Sequence, residues 1–126
     1  MTREQNRAAR VYKYVKKYEK NEKVRKDYGS MALRFPALLR SAGLVQALAF
    51  VDSRGNDAHK QFIHDFASVI YELEGKPKRG KEAFEQYFQE ARDAQLAQYL
   101  RMTREALAVA DWFKRFAQSV LKAELD

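Results

Sequence analysis

Residues 28–51 read YGSMALRFPALLRSAGLVQALAFV, and between Met31 and Val51 the only charges are Arg34 and Arg40. No other stretch of the chain is so poor in charge, and such a stretch has to be buried. It is too short and too interrupted to span a bilayer, which takes about 20 consecutive apolar residues. Gly29 and Ser30 suggest a turn followed by a capping hydroxyl, since a Ser oxygen accepts from the free N–H groups of a first helical turn. Pro36 either opens a fresh helix or kinks one at Phe35, because it has no N–H to donate. Gly43 suits a helix end that needs a positive φ. Beyond it Leu44, Val45, Leu48 and Val51 share one face, while Ala47, Ala49 and Phe50 fill much of the rest. A helix apolar nearly all round is a buried one. The stretch predicts a central pair of short helices with the remaining chain packed around it.

The flanking segments follow a helical period. Residues 3–27 contain neither Gly nor Pro, and Ala8, Val11, Val15 and Tyr18 recur at three- and four-residue spacing. They predict one long helix with a narrow packing seam. Opposite the seam, Lys13, Lys16, Lys17, Lys20 and Lys23, with Arg10, form a broad basic face. Tyr12 and Tyr14 flank the seam, either packing with their hydroxyls at the water boundary or stacking on bases. Asn56 or Asp57 caps a helix with the stripe Phe62, Phe66, Val69, Ile70 and Leu73, closed by Gly75. A helix over residues 81–90 turns Phe84, Tyr87 and Phe88 inward. The last helix, residues 92–124, buries Leu96, Leu100, Leu107, Ala110, Phe113, Ala117 and Leu121. With five Gly and two Pro there is little material for the turns of a β fold. The fold class is all-α, one compact domain of five to six helices over residues 1–126.

Charge sharpens the functional reading. The chain carries a formal +7, and residues 2–27 hold ten Lys/Arg against four Asp/Glu. Basicity gathered in one element fits contact with an extended polyanion, and a merely solvated face is the alternative. A second basic cluster, Lys76, Lys78 and Arg79, lies in the loop between Gly75 and Gly80. A third is Arg101 with Arg104 at i, i+3, with Arg115 and Lys122 in the same general direction.

Catalytic constellations are missing. Residues 75–81 match a phosphate-binding P-loop up to its lysine. The motif then needs Ser or Thr for Mg²⁺ and a preceding strand, and here Glu82 and a helix stand there. A solvated basic turn, or a nonspecific phosphate contact, is the reading left. His59 and His64 are five apart and do not share a helix face, so no metal site is expected. The carboxylates are scattered singly, with no dyad in an apolar setting. There is no cysteine, which excludes disulfides, thiolate metal sites and a Cys nucleophile and fits a reducing cytoplasm. The N-terminus has no apolar core for a secretory signal. Trp112, Phe113 and Phe116 give either a wide core face or an exposed aromatic patch that binds another protein. No cofactor is implied.

Two blocks carry a resemblance. The first is Tyr28-Gly29-Ser30, then Phe35-Pro36-Ala37-Leu38-Leu39-Arg40, then Gly43-Leu44-Val45-Gln46-Ala47-Leu48-Ala49-Phe50. The second is Tyr99-Leu100-Arg101-Met102-Thr103-Arg104-Glu105-Ala106-Leu107, followed by Trp112-Phe113-Lys114-Arg115-Phe116-Ala117. In this order and at this length they resemble the small subunit of Cmr-type (type III-B) CRISPR effector complexes. The resemblance implies an all-helical, noncatalytic protein whose copies stack along the ribonucleoprotein, beside the other subunits, and help hold guide-paired target RNA. The RNA-contacting candidates are then Lys13, Lys16, Lys17, Lys20, Lys23, Lys76, Lys78, Arg79, Arg101 and Arg104. The alternatives are a helical scaffold with protein contacts only, including the small subunit of Csm-type (type III-A) complexes, and more remotely a double-stranded DNA binder. Against the last, no helix-turn-helix with a polar recognition helix is present.

Overall fold

A computed structural model describes residues 1–124. Six helices follow in order: α1 (Arg3–Lys16), α2 (Glu22–Ala42), α3 (Leu44–Ser53), α4 (Asp57–Leu73), α5 (Gly80–Asp93) and α6 (Leu96–Ser119). No strand occurs among the described residues, and all six helices contribute to one core. No described helix is long and apolar enough to cross a membrane.

The first expected helix is two. Thr2 opens α1 with a capping box, its Oγ1 accepting from the Gln5 N–H at 3.1 Å while Gln5 Oε1 accepts from the Thr2 N–H at 2.8 Å. Residues 17–20 then turn, and Asn21 Oδ1 caps α2 by accepting from the Val24 N–H at 3.2 Å. The break brings Tyr18 inward, where its ring lies 4.2 Å from that of the fully buried Tyr28.

Inside α2, Gly29 and Ser30 make no turn. Gly29 is there for close approach, since a Cβ on it would stand 2.8 Å from the Ala123 Cβ, in the segment folded back after α6. The helix also runs through Pro36 without restarting. Gly43, at φ +88°, does end α2 and lead into α3. Helix α3 has no side-chain cap of its own. The hydroxyl of Tyr99, from α6, supplies one by accepting from the Val45 N–H at 3.1 Å.

The central element is α4 rather than the charge-poor stretch. It packs against each of the other five helices. Asn56 caps it, accepting from the Ala58 N–H at 2.8 Å. Its Phe62 and Phe66 meet Phe35 of α2 edge to face at 5.2 and 5.0 Å, and Phe62 meets Phe113 of α6 at 5.3 Å. Such ring pairs add about 0.5–1.5 kcal/mol each beyond the area they bury. In α3, Leu44, Leu48 and Val51 are buried, but Ala49 and Phe50 face out.

On α6 the buried side is Ala106, Val109, Ala110, Phe113 and Ala117. Leu96 and Leu100, expected inside, are 73% and 51% exposed, while Tyr99 and Met102 are the residues of these first turns that pack against the core. Leu121 is buried only after the helix has ended, and Lys122 there has φ +57°.

Candidate nucleic-acid interface

The seam of α1 lies as its spacing requires. Val11 and Val15 are fully buried against α4 and α6. On the opposite side Lys13, Lys16 and Lys17 are exposed. Lys16 Nζ sits 2.6 Å from Glu19 Oε1, and this contact raises the lysine pKa and lowers that of the glutamate. Lys17 lies at the C-cap of α1, where a cation complements the helix dipole, with its Nζ 4.7 Å from the Tyr14 ring centroid. Lys13 Nζ is 3.9 Å from Glu72 Oε1, and Arg10 turns to the same carboxylate at 3.1 Å. Lys20 lies in the turn and Lys23 in the first turn of α2, both exposed. The five lysines therefore occupy three successive segments instead of one helical face.

The aromatic residues beside them are packing groups. Tyr14 is buried, its hydroxyl donating to Glu72, and burial with that carboxylate pushes its pKa up to about 12. Tyr12 is 42% exposed and stands edge-on to Phe116 at 5.2 Å. Phe116 stacks on Trp112 at 5.4 Å, both half-buried, while Phe113 is fully buried. The trio is thus a core edge that stays partly open to solvent.

The loop cations divide. Lys78 Nζ is 3.4 Å from Glu82 Oε1 in the first turn of α5, and Arg79 is exposed at the N-cap position of α5. The loop itself is pinned. The Lys76 N–H donates to the Tyr71 carbonyl at 2.9 Å, and the Gly80 N–H donates to Ser68 Oγ at 2.8 Å. Gly80 thus spends its N–H on α4.

Lys76, Arg101 and Arg104 come together. They line a cleft of about 770 Å³ between α1, α4, α5 and α6, and Arg3 and Arg7 of α1 join them there. The two α1 arginines were not among the candidates, although their i, i+4 spacing already placed them on one face. Arg7 makes a two-pronged pair with Glu105 at 3.0 and 2.6 Å. Arg115 faces a different depression with Arg40, Asp111 and Trp112, and Lys122 lies beyond α6.

One carboxylate escaped the sequence reading. Asp65 on α4 is 8% exposed, and its Oδ2 accepts from the Tyr28 hydroxyl at 2.8 Å and the Tyr18 hydroxyl at 3.0 Å. Burial pushes its pKa up to about 6 against the opposing pull of those two hydrogen bonds. His59 is buried with its Nδ1 unpartnered, and burial lowers its pKa. His64 is half-buried with its ring 5.8 Å from that of Phe84. No three His, Asp or Glu side chains converge as a metal site among the described residues.

The family model described as CRISPR-associated protein (Cas_Cmr5) matches residues 3–120. The chain belongs to the Cmr5 family. It is 47% identical over 121 residues to the CRISPR system Cmr subunit Cmr5 of Thermus thermophilus, covering 96% of this chain and 97% of that protein. A crystal structure of a CRISPR-associated Cmr5 family protein from Thermus thermophilus superposes with a TM-score of 0.82 at 48% identity, over 95% of this chain and 97% of the other. Membership in the Cmr5 family makes this a small subunit of the Cmr type, as the two sequence blocks implied.

Proposed function

We propose that this chain is the noncatalytic small subunit of a type III-B CRISPR ribonucleoprotein acting in cytoplasmic antiviral defence. It docks beside the other subunits, stacks with further copies of itself, and contacts guide-paired target RNA through phosphates. The observation that carries the RNA contact is the outward placement of the basic side chains: nine of the ten candidates are exposed, and Lys78 is half-buried. Lysines without planar forks suit backbone phosphates, so guide pairing and not this subunit would read sequence.

A second reading, a scaffold with protein contacts only, draws on the exposed Leu96 and Leu100 and on the half-open Tyr12–Phe116–Trp112 edge. Apolar and aromatic groups of this kind anchor protein interfaces. The two readings separate on reconstitution. The complex is assembled with and without this subunit, and co-elution and target-RNA affinity are measured at mild salt. Co-elution with a gain in RNA affinity supports the first reading, and co-elution without it leaves the scaffold. Failure to co-elute with any subunit sinks both.

A further inference from the structure

The cleft that gathers Lys76, Arg101 and Arg104 has a chemistry the α1 lysines lack. Its volume, about 770 Å³, falls among small-molecule pockets. Its carboxylates are already engaged: Glu105 by Arg7, Glu74 by Lys76 at 3.0 Å, and Glu90 by the hydroxyl of Tyr71. Arg3, Arg101 and Arg104 line the same space and make no ion pair among the described residues. Three guanidiniums are thus left over around a floor of Ile70, Tyr71 and Tyr87, none more than 3% exposed.

A second, independent observation is the Tyr87 hydroxyl. It is buried and has no hydrogen-bond partner. Tyr87 itself lines the cleft, and its ring stands edge-on at 6.2 Å to that of Tyr71, another lining residue. A buried polar group left unpaired in a folded protein calls for a reason, and an absent ligand is one.

We propose that this cleft is a subsite for one phosphorylated nucleotide unit, with the phosphate on the Arg101, Arg104 and Arg3 guanidiniums and the base against the half-buried Leu73 and Met102 that also line it. Guanidinium forks match phosphate oxygens two bonds at a time. A base offers a flat apolar face together with a polar edge, and that edge supplies the partner the Tyr87 hydroxyl lacks. The unit belongs either to a bound RNA strand or to a free mononucleotide. The strand rests on the RNA-contact reading above, whereas the free nucleotide does not.

The test is isothermal titration calorimetry of the full chain at low salt with uridine 5′-monophosphate, adenosine 5′-monophosphate, uridine, inorganic phosphate and a 5′-phosphorylated oligouridylate. The monophosphates should bind saturably, and uridine and phosphate should each be weaker by about tenfold or more, since each keeps half of the contacts. Replacing Arg101 and Arg104 together by Ala should cost about tenfold or more in nucleotide affinity. Tyr87→Phe should weaken nucleotide binding while raising the melting temperature of the free protein, which a purely structural hydroxyl would not do. Oligouridylate binding with the same arginine dependence identifies the strand as the source. Monophosphate binding that the oligonucleotide does not displace identifies the free nucleotide. Phosphate binding as tight as the nucleotide, no saturable binding up to about 10 mM, or indifference to the arginine replacements overturns the proposal. An assembled complex whose RNA affinity is the same with and without this subunit, while the free chain binds nucleotide, would count against the RNA reading alone.

Discussion

The carboxyl of Asp65 should make the stability of this protein fall as pH rises from about 4 to about 6. It sits on the central helix, holds the hydroxyls of Tyr18 and Tyr28, and is pushed by burial from an ordinary 3.8 to about 6. A carboxyl whose folded pKa lies above its unfolded one binds its proton more tightly when folded. Its contribution is therefore complete below about pH 4, the unfolded value, and is lost as pH climbs through the folded value near 6. A displacement of about two pKa units corresponds to ~3 kcal/mol. Asp65→Asn removes the titration and keeps the size and one acceptor oxygen. Relative to the parent protein, the variant should gain ~3 kcal/mol between pH 4 and pH 8, half of it by about pH 5, midway between the unfolded and folded values, and nearly all of it by about pH 6. Urea unfolding followed by circular dichroism at half-unit pH intervals reads this directly. With a slope of about 2 kcal/mol per molar urea, the difference between the two midpoints should move by ~1.5 M across that range. Taking the difference cancels Glu19 and the other carboxylates, which titrate equally in both proteins. A midpoint difference that stays constant with pH would show that the Asp65 carboxyl keeps its ordinary acidity, and one that grows in the opposite direction would show that its hydrogen bonds outweigh its burial.

Two further outcomes follow from named contacts. Tyr99→Phe removes the hydroxyl that caps α3 and should lower stability by about 1 kcal/mol; a melting temperature unchanged within error would mean that water caps the Val45 N–H equally well. In the assembled complex, replacing Lys13, Lys17 and Lys20 by Ala should flatten the slope of log affinity against log salt by about two, at about 0.7 per phosphate on single-stranded RNA; an unaltered slope in a normally assembled complex would reduce these lysines to a solvated face.

The helical class and the inward faces were legible in the sequence because period and burial coincide: Val11 with Val15, and Phe62 with Phe66, Val69 and Ile70, are where a 3.6-residue repeat puts them. The break after Lys16 was hidden because Tyr18 keeps the apolar period across the turn, and the cap, Asn21, sits inconspicuously among charges. Gly29 looked like a turn because its partner, Ala123, is remote in sequence. The centrality of α4 was masked by His59, His64 and Asp65, polar residues that are buried or half-buried, Asp65 on tyrosine hydroxyls and His64 beside the ring of Phe84. Leu96 and Leu100 continue the period of α6 past the point where the bundle stops supporting it. The basic patches were found one at a time, but the meeting of Arg3 and Arg7 with Lys76, Arg101 and Arg104 is a product of packing that no local pattern announces.

The loop from Lys76 to Gly80 is held at both ends, by the Tyr71 carbonyl and by the hydroxyl of Ser68, which itself donates to the carbonyl of His64 at 2.8 Å. Pro77 fixes one more backbone angle between them. The chain carrying Lys78 and Arg79 is therefore ordered before anything binds. A disordered basic loop would lose that freedom on contact, at a cost that weakens the complex. Here the loss is borne at folding, so a partner meeting this edge meets charges already in position. Loosening the anchor at Ser68 would thus weaken such a contact without removing a single positive charge.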